Sequence, residues 1–590
     1  MHLSLTKNTF TGPCRLQVQD WLSDCTKVHD ICNEDWGTTS DYPIRLLNVG
    51  PEMGTQVRLQ LFEHGAIRPR YVTMSHCWNH GPAPQLVKLT TDNQHRLTSG
   101  FAIADLPKKF QDAVAIARWM DVNFIWIDAL CIMQDSKDDW QHQANNVGDI
   151  YAGSYCNIAA TNADQEVGCF RNRPVEIVEP YLVDDPKKAS HKNSHVIGYD
   201  DFWCNSLLDS TLHTRAWVLQ ERLLSPRTIH FGKEQMFWEC RQHKACEAYP
   251  LGIPTQFSNE RTRDWRAGVQ MFNPESRTPG VIKTSILAAV SAWFSGWLRP
   301  SKPTPHVIPC QEAYEFWSRT VERYMECGLT FQSDKLVAIA GLAKKVCETT
   351  GERYLAGLWD NVQLPQSLLW YVPVREQAGG SPSKRAPSLG SPDYRAPSWS
   401  WASIDAKITW DWPAPCGRVL ITILETNIER ERGSGTSAIT SARMDIKGIL
   451  ISAKLQISHN DAGERSEEDG SYIMTFPGKA SETNDSGSTR TARQIEPMVF
   501  LDISLSSTEA DEFFFLPVCT DWRSRAGLSI AAVAGLLLKR ARCGKENMYE
   551  RIGVVGMSAG EAQMATGGSA LLERTFDGMH FTELDSITII

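Results

Sequence analysis

The pattern of apolar and polar positions sets one stretch apart, residues 124–151. It opens with the apolar run Phe124-Ile125-Trp126-Ile127, which stops at Asp128. A polar turn, Gln134-Asp135-Ser136, follows, and then a helical pattern with Asp138 and Asp139 in its first turn. A short apolar run bounded by a carboxylate suits a buried strand, and an acidic pair suits the positive end of a helix. The pattern therefore predicts strand, loop and helix, with Asp128 at the strand's carboxyl end. In open α/β sheets that is where ligands bind.

The flanking segments extend the same reading. Residues 43–47 and 57–61 predict two strands, the second with clean alternation, and 70–75 predict a third that ends in Ser75-His76-Cys77-Trp78. Leu106-Pro107 opens a helix through Met120, with Phe110, Val114 and Ala117 at helical spacing and Pro107 suited to the first turn. After the central stretch, 155–160 reads as a strand. Strand, helix, strand, helix, strand in that order implies right-handed crossovers and a parallel sheet. Ser75–Trp78 and Asp128–Cys131 then share one sheet edge. Farther on, 214–225 predicts a short helix ending before Pro226, and 227–231 with 235–240 a hairpin. Residues 377–393 are rich in Gly, Ser and Pro and read as a mobile loop. Beyond Trp410 the pattern turns to short strands. Residues 460–491 are polar and expected to be partly disordered, apart from a strand-like 472–476.

Composition narrows the classes. At 590 residues the chain exceeds a single core, and 42% hydrophobic with 22% charged residues is ordinary for a globular protein. A formal net charge of -9 argues against nucleic acid as a partner. Met1–Phe10 lacks a signal-peptide pattern, and the apolar run 528–538 is too short to span a bilayer. The 16 cysteines, without a regular framework, are expected to be reduced in an intracellular, cytoplasmic protein. Cys25, His29 and Cys32 lie close together, but no second ligand pair follows at finger spacing, so scattered structural residues are expected there and no metal. The 20 tryptophans suggest many packed interfaces, with an apolar pocket as a further option.

Three blocks carry a family resemblance. The first contains Tyr71, Ser75, Cys77 and Trp78. The second contains Trp126, Asp128, Cys131, Gln134, Asp135, Asp139, Trp140, Ile150 and Tyr151. The third contains Arg215, Trp217, Gln220, Glu221, Leu224, Ser225, Arg227, Phe231, Trp238, Glu239 and Cys240. In this order they resemble the fungal heterokaryon-incompatibility (HET) domain, in its compact architecture without nucleotide-binding or repeat modules. The resemblance implies a flavodoxin-like, TIR-like α/β domain with a parallel sheet. The expected organisation is an N-terminal extension to 41, the HET domain over 42–240, a helical segment over 241–376, a flexible loop over 377–395 and a β-rich region over 396–590.

The resemblance also bears on chemistry. Some TIR domains cleave NAD with a Glu on a helix, and HET sequences commonly have a Glu three residues after the position of Trp140. This chain has Gln143 there. An amide is no general base, so NAD cleavage is expected to be absent or weak if that position is the catalytic one. His76 and Asn79 also stand where relatives more often have Tyr and Gly. Asp128 is a candidate base or ribose-positioning group, with a loop-bracing carboxylate as the plainer alternative. Cys77 is a candidate nucleophile served by His76 or His80, or else a structural thiol; neighbours on a strand point to opposite faces, which places His76 poorly for that task. Gln143 completes the catalytic candidates. Ser75, His76, Trp78, Cys131, Gln134, Asp135, Trp140, Arg215, Trp217, Gln220 and Glu221 are candidates for lining the ligand site, with Arg215 either clamping an anion or pairing with Glu221.

Three functions follow. The first is nonself recognition and programmed cell death, with an incompatibility partner protein and without efficient NAD cleavage. The second is a cofactor-free cyclase of the Diels–Alder type in secondary metabolism, acting on a hydrophobic small molecule held in a reactive shape. The third is a non-enzymatic scaffold. No cofactor is expected, and NAD enters only as a substrate in a TIR-like reaction.

Overall fold

The computed structural model describes residues 5–34, 43–63, 69–78, 88–162, 168–178, 181–184, 194–197, 203–254, 309–373, 384–387, 389, 391, 393–410, 417–431, 438–457, 472–476, 493–502, 512–523, 529–541, 546–559, 561 and 585–590. Asn79, His80, most of the 377–393 loop and the polar flanks of 472–476 lie outside these residues. The chain divides into two compact units. The first comprises residues 1–312, 327–329 and 337–345; the second comprises 313–326, 330–336 and 346–590. Among the described residues no helix is long and apolar enough to cross a membrane.

The first unit is built on a nine-stranded mixed sheet. Its strands are β1 (Arg45–Asn48), β2 (Gln56–Leu61), β3 (Val72–Ser75), β4 (Phe101–Ala102), β5 (Phe124–Trp126), β6 (Cys156–Ala159), β9 (Arg227–Phe231), β10 (Met236–Cys240) and β11 (Lys244–Cys246). Between β6 and β9, β7 (Tyr181–Asp184) and β8 (Ser194–Ile197) form a separate two-stranded sheet. The order in the main sheet is β11-β10-β9-β6-β3-β5-β1-β2-β4. The expected parallel core is present: β5 and β6 flank β3 in parallel, and β9 runs parallel to β6. Antiparallel strands extend it on both sides, with β1 on β5 and the β9–β10 hairpin at the other end.

The helices are α1 (Gly12–Val28), α2 (Asp30–Asn33), α3 (Gln94–Ser99), α4 (Lys108–Trp119), α5 (Asp128–Cys131), α6 (Lys137–Ala152) and α7 (Ala216–Leu224). From β3 the chain crosses through α4 to β5 on one side, then through α6 to β6 on the other. The carboxyl ends of β3 and β6 therefore form a topological switch point, the position at which ligands bind in open α/β sheets.

The core reaches beyond the boundaries expected from sequence. Cys14, Val18, Trp21, Leu22 and Cys25 of α1 are buried in the same cluster as Val72, Ile125, Ile158 and Trp238. Their helical spacing forms one apolar stripe, so residues 12–28 are an integral helix of this unit. Trp21 stacks on Trp238 at 6.1 Å between ring centroids and donates Nε1–H to Pro250 O at 2.9 Å. Behind α6, Gly148 meets Gly341 so closely that a Cβ on Gly148 would lie 2.7 Å from the Gly341 Cα.

The second unit carries a ten-stranded, mostly antiparallel sheet, including Ile439–Gly448, Phe513–Arg523, Ser529–Arg540, Met548–Met557 and the expected short strand Tyr472–Phe476. Trp317, Trp359, Trp370, Trp399, Trp401 and Trp410 are all fully buried in it. Gly357 O accepts from the indoles of both Trp317 at 2.9 Å and Trp401 at 3.0 Å. Arg551 is buried over the Trp370 ring and ion-paired to Asp502 at 3.1 Å. These tryptophans are packing residues of this unit.

Candidate functional site

Two polar clusters meet at the carboxyl ends of β3, β5 and β6. In the first, Asp128 leaves β5 and opens α5. Its Oδ1 lies 2.7 Å from His76 Nε2 and accepts the Ala129 N–H at 2.6 Å, while Oδ2 accepts the Trp78 indole N–H at 2.7 Å. His76 is buried at 1% side-chain exposure, and Asp128 keeps 31%. His76 Nδ1 faces the Cys77 carbonyl at 3.2 Å, so both ring nitrogens face oxygen acceptors, and a ring with one proton donates to only one of them. Burial pushes the Asp128 carboxyl up, but the His76 charge and hydrogen bond, the Trp78 donor and Arg215 outweigh it and hold the group down at about 2. Asp128 is an anion at neutral pH.

In the second cluster, Ser75 Oγ donates to Glu221 Oε2 at 2.5 Å, and Asn157 Nδ2 donates to Ser75 Oγ at 3.0 Å. Thr73 Oγ1 donates to Asn157 Oδ1 at 3.2 Å and extends the chain along the sheet. Burial drives the Glu221 carboxyl up to about 7; the Asp128 charge adds to this, and the Ser75 hydroxyl and Arg215 oppose it. Burial likewise raises the neighbouring Tyr151 phenol, whose OH donates to Met74 O at 3.1 Å. Two carboxyl groups with acidities pushed this far apart are the usual arrangement of an acid–base pair.

Cations surround both clusters. Arg215 donates to His76 O, and its charge acts on the Glu221 carboxylate through space. Glu221 accepts the Ser75 hydroxyl, and Arg215 acts on it through space instead of by a direct pair. Lys109 on α4 is fully buried and donates Nζ–H to Cys77 O at 2.7 Å. Burial lowers its ammonium, against the pull of Asp128. The Cys77 thiol is pushed up by burial, which outweighs Arg215 and Lys109, so it is a poor nucleophile. His76 directs its nitrogens at a carboxylate and a carbonyl, and serves as no base for Cys77.

Of the residues singled out in the sequence, Ser75, His76, Cys77, Trp78, Asp128, Arg215 and Glu221 come together here. The others have local tasks. Gln134 Nε2 donates to Asp128 O and Ile132 O, both at 3.0 Å, and braces the loop. Asp135 accepts the Thr91 hydroxyl at 2.6 Å. Cys131 is core, with its thiol raised by burial to about 12. Gln220 accepts the Gly341 N–H at 3.1 Å. Trp217 packs on the core, and Trp140 is 36% exposed. Gln143 is buried on α6, with its amide 3.4 Å from His142 Nδ1 and no hydrogen bond to either carboxyl cluster.

Lys109 and Asn157 are site residues that pattern reading missed. Each had a signal: Lys109 falls in helical register with the buried Ala113 and Ile116, and Asn157 interrupts a buried strand.

Residues 71–221 match the family model described as heterokaryon incompatibility protein (HET), a segment that runs from the start of β3 to Glu221 and encloses both clusters. Residues 71–221 therefore carry a HET domain. Comparison with the curated proteins and with the solved structures found no match. Within this segment Ser75, Asp128, Arg215 and Glu221 share one sheet edge, while Gln143 lies on the buried side of α6.

Proposed function

We propose that this HET protein acts in incompatibility-type nonself recognition and cell death, and that it does so through acid–base chemistry at the carboxyl edge of its sheet. The observation that carries the reading is the contrast between Glu221, held at about 7, and Asp128, held at about 2, beside one another at a switch point. A general acid or base works best when it titrates near the operating pH.

NAD is the substrate that best fits this pair. Cleavage of its N-glycosidic bond needs no proton on the leaving group, because the pyridinium nitrogen takes the bonding electrons and departs as neutral nicotinamide. Water attacks the ribose C1′, and its proton goes to the ionised form of Glu221. The fixed anion of Asp128 offsets the positive charge that builds on the ribose, and Arg215 offers a charge for the pyrophosphate. A carboxylate at position 143 is unnecessary in this scheme, because Glu221 supplies the base. The cyclase reading draws less support, because the groups gathered at this edge are polar and charged.

Expression from an inducible promoter in a fungal host tests the biological half. The expected result is growth arrest with a fall in cellular NAD, relieved by Glu221→Gln at equal protein level. Arrest that persists undiminished in Glu221→Gln, or no arrest with the unaltered chain, would overturn it.

A further inference from the structure

Away from the sheet edge, Cys25, His29, Cys32 and Cys240 bring three sulfurs and one imidazole nitrogen to within 4.8 Å of one another. Cys25 lies in the last turn of α1, His29 joins α1 to α2 and Cys32 lies in α2, while Cys240 closes β10, more than two hundred residues later in the chain. We propose that these four residues form a structural zinc site that fastens the N-terminal helices to the sheet.

The donor set matches the metal. Three thiolates and one imidazole in a closed arrangement are a structural zinc set, with Zn–S of about 2.3 Å and Zn–N of about 2.0–2.1 Å. A tetrahedron of those bond lengths has an S–N edge of about 3.6 Å. Cys240 Sγ and His29 Nδ1 are 3.4 Å apart. The ligating nitrogen is therefore Nδ1. Cys25, Cys32 and Cys240 are buried to 1–2% exposure and are free thiols, so no disulfide competes for them.

The surroundings treat the sulfurs as acceptors. Arg227 donates Nε–H to Cys25 Sγ at 3.2 Å, and the His243 backbone N–H donates to Cys240 Sγ at 3.2 Å. Donors aimed at sulfur stabilise thiolates, as the outer partners of metal ligands do. The charge also balances: three thiolates on a divalent ion leave one negative charge, and the Arg227 guanidinium stands beside it. Arg227 is itself held by Tyr155 O at 3.2 Å and by Asn33 Oδ1, which ties β9 and α2 into the same site.

All four positions belong to the protein, so the ion has no open place for a substrate, and its role is structural. The Cys25, His29 and Cys32 cluster lacked a second ligand pair at finger spacing because the closing ligand comes from the far side of the fold.

The test is elemental analysis and native mass spectrometry of the full-length protein, purified without chelator and dialysed against metal-free buffer. The expected result is one zinc per chain, lost in Cys240→Ser and Cys32→Ser and kept in Cys246→Ser, which alters a buried cysteine outside the cluster. Should the first two variants fail to fold, exchange of the native protein with cobalt gives a second reading. Tetrahedral S₃N cobalt has intense visible bands and sulfur-to-metal charge-transfer absorption. Zinc-free protein that takes up no cobalt would overturn the proposal, as would a metal-free chain lighter by two hydrogens, which would mark a disulfide among the three cysteines.

Discussion

Ser75 Oγ, at the carboxyl end of β3, donates to Glu221 Oε2 on α7 at 2.5 Å across 146 positions of sequence. The bond holds the carboxyl group at the sheet edge, and the partly buried surroundings keep it titrating near neutrality.

That shift has a consequence for stability. Glu221 is raised from 4.5 to about 7, so the folded protein holds this proton more tightly than the unfolded chain. The stabilisation is full below 4.5 and is lost as pH rises through about 7. Glu221→Gln stays neutral throughout. Its stability relative to the unaltered chain is expected to increase between these two pH values, by about 3 kcal/mol at most, since one pKa unit is about 1.4 kcal/mol. Urea unfolding of both proteins across that range checks it; a difference that does not change with pH would contradict the assigned shift.

Asp128 has the opposite sign. Its carboxyl is depressed from 3.8 to about 2, so its contribution is present above 3.8 and is lost as pH falls through about 2. Asp128→Asn is expected to cost about 2 kcal/mol at neutral pH, with the gap closing in acid. Thermal melting at neutral and acid pH measures this, and an equal loss at both would point to packing instead of charge.

Much of this site was legible in the sequence. The apolar run ending at Asp128 and the strand ending at Ser75 placed both residues at one edge, because parallel connectivity follows from the order of elements. Glu221 was a candidate for lining the site or pairing with Arg215 and not for catalysis, since its acidity depends on burial and on Asp128, neither of which a local pattern contains. Helix α1 was overlooked although its Cys14-Val18-Trp21-Leu22-Cys25 stripe is regular; sparse apolar positions with Gln17 and Asp20 between them masked it. Cys240 could not be joined to Cys25 by spacing, because β10 reaches α1 only through the fold.

The buried Arg222–Glu239 pair offers a test of packing independent of the site. Arg222 Nε and Nη2 meet both Glu239 oxygens, at 2.7 and 2.8 Å, and the Glu239 side chain is fully buried. Glu239→Ala leaves a guanidinium without its partner and is expected to cost about 3–5 kcal/mol. Chemical denaturation checks this; a loss under about 1 kcal/mol would show that Arg222 finds another acceptor or reaches water.

In the second unit, Gly357 has φ +104°, and a Cβ there would lie 2.5 Å from Trp401 Nε1. Gly357→Ala is expected to destabilise this unit by more than about 1 kcal/mol, because both the backbone and the Trp401 indole must shift. Calorimetry of the full chain reads it as a lowered transition. An unchanged melting profile would mean that the indole moves at little cost.

The most direct test of the central claim is nicotinamide release from NAD by the purified protein as a function of pH. The unaltered chain should release nicotinamide at a rate that rises with pH and levels off above about 7, as Glu221 ionises. Glu221→Gln should be inactive while remaining folded, and Gln143→Glu should leave the profile in place. No release by the unaltered chain, or release that persists in Glu221→Gln, would contradict the assignment of Glu221 as the base.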